Sequence, residues 1–431
     1  MSHTIESLYQ VFLKNPDVTT DSRQVRPGSV FFALKGDSFN GNTFAPDALK
    51  AGASAAVVDD PAAGGDPRCF LVTDVLSTLQ ALALHHRQQL RLPVLAITGT
   101  NGKTTTKELI HAVLSEKYRT VSTRGNLNNH IGVPLTILGI RHDAEIAVIE
   151  MGANHPGEID LLCRIALPGY GLITNIGRAH LEGFGGFEGV VKTKTELYRF
   201  LGRHGGKVFL HSGDPLLEEH AKGLEVIRYG AGDSGIIPAE ISADPYVGMI
   251  LKLPGGGTLQ IGSHLYGLYN APNMMAAACV GIHFGVPPEQ IKTALESYQP
   301  ANNRSQIRDT GRNLLVMDAY NANPSSMRAA LETFAATSYP SKAVILGDML
   351  ELGEESDREH LGILDLVNEL AFGEVYLVGP SFTRLNTRRE NLCFQDSDLA
   401  RLWFAHHRPE QMTILIKGSR GIRLEKLEEE L

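Results

Sequence analysis

Residues 94–110, VLAITGTNGKTTTKELI, join a short apolar run to a glycine-containing turn and an amphipathic stretch. The run Val94–Thr98 follows Pro93 and ends at Gly99, a pattern that favours a strand buried on both faces. The stretch after the turn has apolar residues at helical spacing, namely Leu109, Ile110, Val113 and Leu114. A strand, a glycine turn and a helix in this order predict a parallel sheet covered by helices.

The turn has most features of a phosphate-binding loop but not its usual spacing. The pattern G-x-x-x-x-G-K-[ST] requires a glycine where this chain has Ile97, and the glycine stands instead at Gly99. Gly99 and Gly102 allow a tight turn whose N–H groups point inward at a helix start, where the helix dipole favours anions. Lys103 can then reach the β- and γ-phosphates of a nucleotide, and Thr104 can offer its hydroxyl to Mg²⁺. The alternative is a plain strand-to-helix turn with an incidental lysine.

Apolar runs of strand length recur along the chain, with amphipathic helical patterns between them. The clearest runs are Glu145–Gly152, Tyr170–Gly177, Lys207–Ser212, Asn313–Tyr320, Lys342–Met349, Glu374–Gly379 and Met412–Gly418. We therefore predict an α/β fold of three domains. These are a small N-terminal α/β domain at 1–88, a central P-loop ATPase-type parallel-sheet domain at 89–303, and a Rossmann-like domain at 304–431. The linkers near 88–92 and 297–304 are predicted hinges.

Composition supports several domains and excludes several classes of protein. The chain has 431 residues, 43% of them hydrophobic and 20% charged, which is ordinary for a globular protein with more than one core. A net charge of −8 argues against general binding to nucleic acid or membrane surfaces. The sequence has no signal-peptide pattern, and no apolar run approaches the roughly 18 residues of a membrane span. Four scattered cysteines indicate buried thiols in a reducing compartment, so we expect a cytoplasmic protein.

Two candidate metal ligands follow predicted strands. Glu150 lies near the end of the run Glu145–Gly152, and His180 follows the run Tyr170–Gly177. Ligands of open α/β sheets bind at the carboxyl ends of the strands, and a carboxylate there suits Mg²⁺. The alternative for Glu150 is a surface acid at a strand end, and a lone histidine is more often structural than a ligand.

Two polar segments complete the candidate site. The segment Gly189–Tyr198 has a helical pattern with Lys192 and Lys194, which by itself indicates a solvated lysine face. The segment Gly125–Leu138 is a turn before a helix, and its polar residues can contact phosphate or substrate amides. These residues are Asn128, Asn129 and His130. The alternative is a purely structural turn.

In this order along the chain, the motifs resemble those of the Mur ligase family. The motifs are GTNGKTT, GNLNNHIGVP, EMGANHPGEI, TNIGRAHLEGFG, KTKTELY, GLYNAPNMMAAA, NNRSQ, DAYNANPSSM, LGDMLELGEES and KGSRGIRLE. With the N-terminal segment they span residues 21–425. The shortened loop G-T-[NK]-G-K-[ST]-T is the normal form in this family and in folylpolyglutamate synthetases, so the misfit at Ile97 supports the resemblance. The motif at Asp318–Pro324 is similar to that of the members that add D-alanyl-D-alanine to UDP-N-acetylmuramoyl-tripeptide.

The resemblance implies a nucleotide site that uses ATP and two Mg²⁺ ions. The implied ATP contacts are Gly99, Thr100, Asn101, Gly102, Lys103, Thr104, Thr105, Asn273, Arg304 and Asp318. The implied catalytic residues are Lys103, Glu150, His180 and Lys194. The implied metal ligands are Thr104, Glu150, His180 and Lys194. In the family the lysine that matches Lys194 is carbamoylated by CO₂, which converts a cation into an anionic ligand.

The resemblance also implies the binding regions for the other two substrates, UDP-N-acetylmuramoyl-tripeptide and D-alanyl-D-alanine. The implied contacts are Ser22, Arg23, Lys35, Gly36, Asn128, Asn129, His130, Asn321, Asn323, Lys417 and Arg420. The first four belong to the segment that is similar to the UDP-binding part of the family. In that segment the family often has a histidine where this chain has Asn42. We expect a monomer that binds neither nucleic acid nor membrane.

Three other classes of protein remain alternatives. A related ligase, of Mur or folylpolyglutamate type, would use a different amine. A P-loop kinase or regulatory NTPase would need a strand-end Asp and no second Rossmann-like unit, and would act without D-alanyl-D-alanine. A catalytically inactive nucleotide-binding protein is disfavoured by the presence of Lys103, Glu150, His180 and Lys194.

Overall fold

The computed structural model describes residues 2–231, 235–300, 303–388 and 390–431. Residues 301 and 302 of the predicted linker at 297–304 lie outside the described residues. Within the described ranges the chain forms three sheet-bearing units, called here the first, middle and third units. No described helix combines the length and the apolar character needed to cross a membrane.

The first unit has a four-stranded parallel sheet in the order β1-β2-β5-β6, together with a short antiparallel β3-β4 hairpin. Its elements are α1 (Ser2–Lys14), β1 (Val18–Thr19), β2 (Val30–Phe32), β3 (Lys35–Gly36), β4 (Phe39–Asn40), α2 (Ala45–Lys50), β5 (Ala55–Val58), β6 (Cys69–Leu71) and α3 (Val75–Gln89). Every residue of β2 and β5 is buried, because α1 and α3 cover one face of this sheet and α2 covers the other. Helix α3 begins at Val75, because the Asp74 side chain accepts the backbone N–H of Ser77 and caps the helix.

The middle unit has a six-stranded, wholly parallel sheet in the order β12-β11-β10-β7-β9-β8. Its elements begin with β7 (Val94–Thr98), α4 (Lys103–Ser115), β8 (Thr120–Ser122), α5 (Gly132–Leu138), β9 (Ile146–Glu150), α6 (Glu158–Ala166) and β10 (Tyr170–Ile173). They continue with α7 (Leu181–Phe184), α8 (Phe187–Lys194), α9 (Glu196–His204), β11 (Lys207–His211), α10 (Pro215–His220) and β12 (Glu225–Tyr229). The central strands β7 and β9 are buried along their whole length, as the sequence predicts for such apolar runs.

A second sheet of the middle unit was not predicted. Strands β13 (Ile237–Ala243), β14 (Tyr246–Lys252) and β15 (Thr258–Tyr266) form an antiparallel meander, followed by α11 (Ala271–His283) and α12 (Pro288–Ser297). The buried residues of β14 alternate with exposed or half-buried ones, since one face of this sheet packs on the helices and the other faces solvent. That weak alternation is a poorer sequence signal than the continuous apolar runs of the parallel strands.

The third unit has a six-stranded sheet in the order β16-β17-β21-β18-β19-β20, in which only β16 is antiparallel to its neighbour. Its elements are β16 (Gln306–Asp309), β17 (Leu314–Asp318), α13 (Pro324–Ala336), β18 (Lys342–Gly347), α14 (Ser356–Leu370), β19 (Glu374–Val378), α15 (Pro380–Leu385), β20 (Leu392–Phe394), α16 (Ser397–Phe404) and β21 (Thr413–Lys417). The three-unit α/β architecture is as predicted, whereas the edge strands β16 and β20 were not predicted.

Two local predictions are corrected. The segment Gly189–Tyr198 is not one helix, because α8 ends at Lys194 and α9 begins at Glu196, with a break at Thr195. The four cysteines are not all buried: Cys163 and Cys279 are buried, whereas Cys69 and Cys393 are half-buried. All four carry free thiols.

The segment predicted as a hinge at 88–92 is held by the half-buried side chain of Arg87. The Arg87 guanidinium donates to the carbonyls of Leu90 and Leu92, and also to those of Ala166 and Leu167 at the end of α6. One side chain therefore satisfies carbonyls of the linker and of a helix C-terminus at once. This contact ties α3 of the first unit to the middle unit.

His86 forms a second buried link beside Arg87. Its ring is hydrogen-bonded at Nδ1 to the Tyr9 hydroxyl (3.1 Å) and at Nε2 to the Ile140 carbonyl (2.9 Å). A carbonyl can only accept, so Nε2 carries the proton and Nδ1 accepts from Tyr9. Burial lowers the pKa of His86, because a charged imidazole loses its solvation there.

We predict that His86 makes the stability of the chain depend on pH. The folded pKa is lowered below the unfolded value of about 6.5, so this contribution is complete above that pH and is lost as the pH falls. His86→Gln removes the titration, so its thermal midpoint should fall less than that of the wild type between pH 7.5 and 5. The exposed His406 provides a control, His406→Gln, for the removal of one imidazole. An equally steep fall in His86→Gln and wild type would refute the assignment.

Candidate active site

A cavity of about 550 Å³ lies between the middle and third units, at the carboxyl ends of strands from both sheets. It brings together most of the residues selected from the sequence. These are Thr100, Asn101, Gly102, Lys103, Thr104, Thr105, Asn128, Asn129, His130, Glu150, His180, Asn273, Arg304, Asp318, Asn321, Asn323 and Lys417. Residues about 320 positions apart in sequence thus share one wall. The position of the cavity is that expected for ligand sites of open α/β sheets.

The loop after β7 adopts a conformation that requires its two glycines. Gly99 and Gly102 have positive φ values of 142° and 77°. A Cβ at Gly99 would lie 2.0 Å from Thr174 Oγ1, and one at Gly102 would lie 2.7 Å from Asn273 Oδ1. The loop is therefore packed against two neighbouring segments as well as being tightly turned.

The segment after β10 braces this loop through hydrogen bonds. The Asn101 N–H donates to Asn175 Oδ1 (3.0 Å), and the Asn101 carbonyl accepts from Thr174 Oγ1 (2.6 Å) and Asn175 Nδ2 (3.0 Å). Thr100 Oγ1 accepts the N–H of Gly177 at 2.9 Å. The motif TNIG thus supports the loop, although only His180 was predicted as a site residue in that region.

Lys103 bends back over its own loop. Its ammonium donates to the carbonyls of Gly99 (2.8 Å) and Thr100 (3.0 Å). Burial lowers the pKa of Lys103 to about 8, while Glu150 opposes the shift and Arg304 adds to it. Its charge is therefore still mostly present at neutral pH and is available to a bound anion.

Glu150 is a buried carboxylate held in position by three neighbours. Its Oε1 accepts from Asn128 Nδ2 (2.7 Å) and Thr104 Oγ1 (3.2 Å), and its backbone N–H donates to Thr123 Oγ1 (2.9 Å). Only 1% of the residue is exposed, and within the described part of the chain Oε2 has no hydrogen-bond partner. A buried carboxylate oxygen without a partner needs a cation or a donor that the protein itself does not supply.

His180 and Lys194 flank the ring of Phe184. The His180 and Phe184 rings are 6.3 Å apart, and Lys194 Nζ lies 5.4 Å from the Phe184 centroid. Nδ1 of His180 also contacts the Glu351 carboxylate of the third unit. Lys194 is 2% exposed and lies behind the cavity wall, outside the residues that line the cavity.

Lys194 has little electrostatic compensation for its burial. The nearby Glu196 carboxylate accepts the N–H groups of Gly157 (2.8 Å) and Asp160 (2.9 Å), so it caps α6. Burial, with the added repulsion of Lys103, lowers the pKa of Lys194 far below its ordinary value. The environment favours an uncharged amine at this position.

The third unit contributes an ion pair and a stacked aromatic ring. Lys417 Nζ donates to Asp318 Oδ2 (2.5 Å) and to the Asn321 carbonyl (3.4 Å), because β17 and β21 are neighbours with Asp318 and Lys417 in register. The Arg304 guanidinium stacks 3.5 Å from the Tyr320 ring centroid, and that of Arg420 lies 5.1 Å away. Arg420 faces an adjoining cavity of about 340 Å³ that shares Thr104, Asn126, Arg304 and Tyr320 with the first.

Several predicted contacts are already engaged in bonds within the protein. Asn129 Oδ1 accepts the N–H groups of Ile131 and Gly132 and so supports the start of α5. Asn273 Oδ1 accepts from Thr106 Oγ1 (3.0 Å), and its Nδ2 donates to Asn270 Oδ1 (2.9 Å). Both side chains still line the cavity.

The four predicted contacts in the first unit do not line this cavity. They are Ser22, Arg23, Lys35 and Gly36. Arg23 pairs with Asp21, and Lys35 Nζ lies 2.8 Å from Asp59 Oδ1. Asn42 Nδ2 donates to the same Asp59 oxygen (2.8 Å), and Asn42 Oδ1 accepts the Asp59 N–H (3.0 Å). Asn42 therefore joins the end of the β3-β4 hairpin to the residue that follows β5.

Several residues that line the cavity were not predicted from the sequence. They are Asn126, Gly152, Ala153, Asn154, Glu158, Asn175, Tyr269, Asn270, Ser305, Tyr320, Ser326 and Ala329. Most lie within five residues of one that was selected. The sequence placed these residues only within polar segments near the selected ones. Such a segment does not indicate which of its side chains face the cavity.

A phosphate-binding loop on one parallel sheet, facing a second sheet across a shared cavity, defines a multidomain α/β nucleotide-binding class. The family models that match are the Mur ligase family catalytic domain at 17–95, the Mur ligase middle domain at 97–281, and the Mur ligase glutamate ligase domain at 303–420. The chain belongs to the Mur ligase family.

Similar proteins from different bacteria share one name. The UDP-N-acetylmuramoyl-tripeptide–D-alanyl-D-alanine ligase of Bacillus subtilis is 35% identical over 428 residues, covering 96% of this chain and 92% of its own. The Escherichia coli protein of that name is 33% identical, with 95% and 92% covered. Among solved structures, MurF from Acinetobacter baumannii superposes with a TM-score of 0.87 at 33% identity, covering 96% and 93%. The Thermotoga maritima MurF ligase in complex with ADP gives 0.84 at 28% identity, covering 96% of each chain.

We predict that Gly99→Ala disables the phosphate-binding loop while the rest of the chain stays folded. The added Cβ clashes with Thr174 Oγ1, which is itself bonded to Asn101, so the loop has to move. ADP affinity measured by calorimetry should fall more than tenfold, because a tenfold loss needs only about 1.4 kcal/mol. The control is Gly157→Ala, where φ is +86° but no atom lies within 4 Å of the new Cβ. Equal ADP affinities in Gly99→Ala and wild type would contradict the close packing.

Proposed function

We propose that this chain is an ATP-dependent amide ligase that adds D-alanyl-D-alanine to the terminal carboxylate of UDP-N-acetylmuramoyl-tripeptide. The observation that carries the proposal is the shared cavity, where the loop at Gly99–Thr105 meets the motif at Asp318–Pro324. The names of the relatives at 33–35% identity over nearly the whole chain support the same activity. Residues 1–88, 89–303 and 304–431 are assigned to the UDP end, to ATP and to the incoming amine.

ATP binds along the loop at Gly99–Thr105. The N–H groups at the start of α4 hold the phosphates, and Lys103 turns from its own loop carbonyls to the β- and γ-phosphates. Asn273 contacts the adenine end, and Arg304 and Asp318 contact the phosphate and ribose side. The similar Thermotoga maritima MurF ligase was solved in complex with ADP, which supports the use of an adenine nucleotide by this chain.

The residues present fit a magnesium ion beside the phosphates. Glu150 Oε2 is buried without a partner among the described residues, and Thr104 Oγ1 bonds the other oxygen of the same carboxylate. Mg²⁺ is commonly held by one or two protein carboxylates plus phosphate oxygens. The described residues contain no cluster of three or more His, Cys, Asp or Glu side chains, so phosphate oxygens would have to complete the coordination. When bound, the ion neutralises charge on the transferring phosphoryl group.

The environment of Lys194 fits a carbamate. A carbamate forms when an uncharged amine attacks the carbon of CO₂ and loses one proton, and burial shifts this amine towards its uncharged form by lowering its pKa. The product is an anionic two-oxygen group near the Phe184 ring. With His180 it would hold a second Mg²⁺.

The reaction has two chemical steps. The γ-phosphoryl group passes to the tripeptide carboxylate and gives an acyl phosphate and ADP. The amine of D-alanyl-D-alanine then attacks the acyl carbon, and the tetrahedral adduct expels phosphate, loses a proton and leaves the amide. Phosphoryl transfer needs mainly positioning and charge neutralisation. The Lys103 ammonium supplies positive charge directly, and Thr104 and Glu150 would hold the Mg²⁺ that supplies the rest. Closure of the units around the cavity would exclude water, which otherwise hydrolyses the acyl phosphate.

The remaining contacts are assigned to the two acceptor substrates. Ser22, Arg23, Lys35 and Gly36 bind the UDP end. Asn128, Asn129 and His130 lie on the tripeptide side. Asn321, Asn323, Lys417 and Arg420 lie on the side of the incoming dipeptide.

We predict that phosphate release from Mg·ATP requires both UDP-N-acetylmuramoyl-tripeptide and D-alanyl-D-alanine. The nucleotide product is expected to gain the mass of the dipeptide minus water. Lys103→Ala serves as the inactive control, and D-alanine, L-lysine or diaminopimelate offered alone tests for a ligase with another amine. Phosphate release at the same rate with and without the two acceptor substrates would instead indicate an NTPase.

We predict that Lys194→Ala lowers kcat by more than roughly a hundredfold, because charge neutralisation at a metal site is worth several kcal/mol. Added short-chain carboxylic acids should restore part of the activity by supplying the missing anion. Lys192→Ala is the matched control, since Lys192 is exposed on the same helix. Full activity of Lys194→Ala without additives would remove the carbamate from the mechanism.

A further inference from the structure

The side chain of Asn101 leaves the phosphate-binding loop and reaches the third unit. Its Nδ2 donates to Ser325 Oγ (3.0 Å), and its Oδ1 accepts from Asn323 Nδ2 (2.8 Å). Its backbone N–H and carbonyl are meanwhile held by Asn175. One loop residue is thus bonded to two units at once.

The contacts on the third unit close a ring of hydrogen bonds. Ser325 Oγ donates to Asn323 Oδ1 at 2.8 Å, so Asn101, Ser325 and Asn323 each donate and accept within the ring. The serine hydroxyl has one proton, and the ring therefore fixes the orientation of both amides. We call these three residues the amide ring.

The amide ring is built into the start of α13. Asn323 Oδ1 also accepts the N–H of Ser326 (2.9 Å), and Ser326 Oγ accepts the N–H of Asn323 (3.1 Å). These two reciprocal hydrogen bonds form a capping box. Ser325 Oγ packs close to Gly177, where a Cβ would lie 2.7 Å away. The position of Ser325 is therefore set by the helix cap on one side and by the middle unit on the other.

Ser325 itself does not line the cavity, whereas Asn101, Asn323 and Ser326 do. Any effect of Ser325 on chemistry must pass through the two asparagines. Lys103 and Thr104 follow Asn101 within three residues, and Asn321 precedes Asn323 by two. The amide ring thus sets the distance between the phosphate-binding loop and the cavity wall of the third unit.

We propose that Ser325 is a positioning residue that locks the phosphate-binding loop to the third unit through Asn101 and Asn323. The inference rests on the proposed ligase function, and it concerns the alignment of ATP with the incoming amine. Loss of the serine hydroxyl releases the loop from the third unit, so its amides become more accessible, but the loop keeps its fold because Thr174 and Asn175 still hold it. The expected defect is therefore in kcat, with ATP binding nearly unchanged.

The test compares Ser325→Ala with Ser326→Ala, which removes a hydroxyl from the same helix start but leaves the amide ring. Ser325→Ala should lower kcat by about tenfold, the size expected for one lost hydrogen bond, with the Kd for ATP changed less than twofold. In a double-mutant cycle, Asn101→Ala and Ser325→Ala should be strongly non-additive in kcat, whereas Asn101→Ala and Ser326→Ala should be nearly additive. Additive effects with Ser325, or a kcat within twofold of wild type, would overturn the proposal.

A second measurement does not depend on ligase activity. Amide hydrogen exchange of the wild-type and variant chains should show faster exchange at both 99–105 and 321–328 in Ser325→Ala, but only at 321–328 in Ser326→Ala. Unchanged exchange at 99–105 in Ser325→Ala would overturn the lock. If the wild type fails to form the ligase product, the proposed function fails, and the exchange data still decide on the amide ring.

Discussion

The close packing of Gly99 against Thr174 is the contact on which the rest of the site depends. It allows the loop after β7 to bond with the segment after β10, and that bonding fixes Asn101, Lys103 and Thr104 relative to the sheet. Glu150, on the neighbouring strand β9, is then within reach of Thr104. Because β9, β7 and β10 are adjacent and parallel, the residues that follow their carboxyl ends lie together at one edge of the middle sheet.

The site holds charges that the fold by itself does not fully compensate. Glu150 keeps one oxygen without a partner among the described residues, and Lys194 is buried beside an aromatic ring. Groups of this kind lower the stability of the free protein, since desolvation is only partly offset. By contrast the buried Lys417 is paired with Asp318 in the sheet register. The uncompensated groups cluster where phosphate and metal are proposed to bind, which is the usual location of such strain.

The two outer units share one buried apolar cluster with the middle unit, and each adds polar contacts of its own. Helix α3 of the first unit packs through its apolar face, and Arg87 and His86 add hydrogen bonds. The third unit is joined around the cavity by polar contacts, which include the amide ring and the pairs of Arg178 with Glu355 and Glu359. Half-exposed polar contacts cost less to separate than a packed apolar face. The polar contacts around the cavity therefore resist separation less than the apolar packing that the three units share.

The sequence by itself determined the strand-to-helix order and the glycine loop after β7, because these depend on local spacing and on apolar runs such as Val94–Thr98. It also determined the family, through motifs that include Asp318–Pro324. Only the tertiary structure decided which polar side chains meet: Thr174 with the loop, Asn101 with Ser325, and Asn42 with Asp59. The antiparallel sheet Ile237–Tyr266 also emerged only there, since its half-buried strands have weak periodicity. Contacts between segments that are distant in sequence depend on how the sheets and helices pack on one another, and no local sequence pattern indicates that packing.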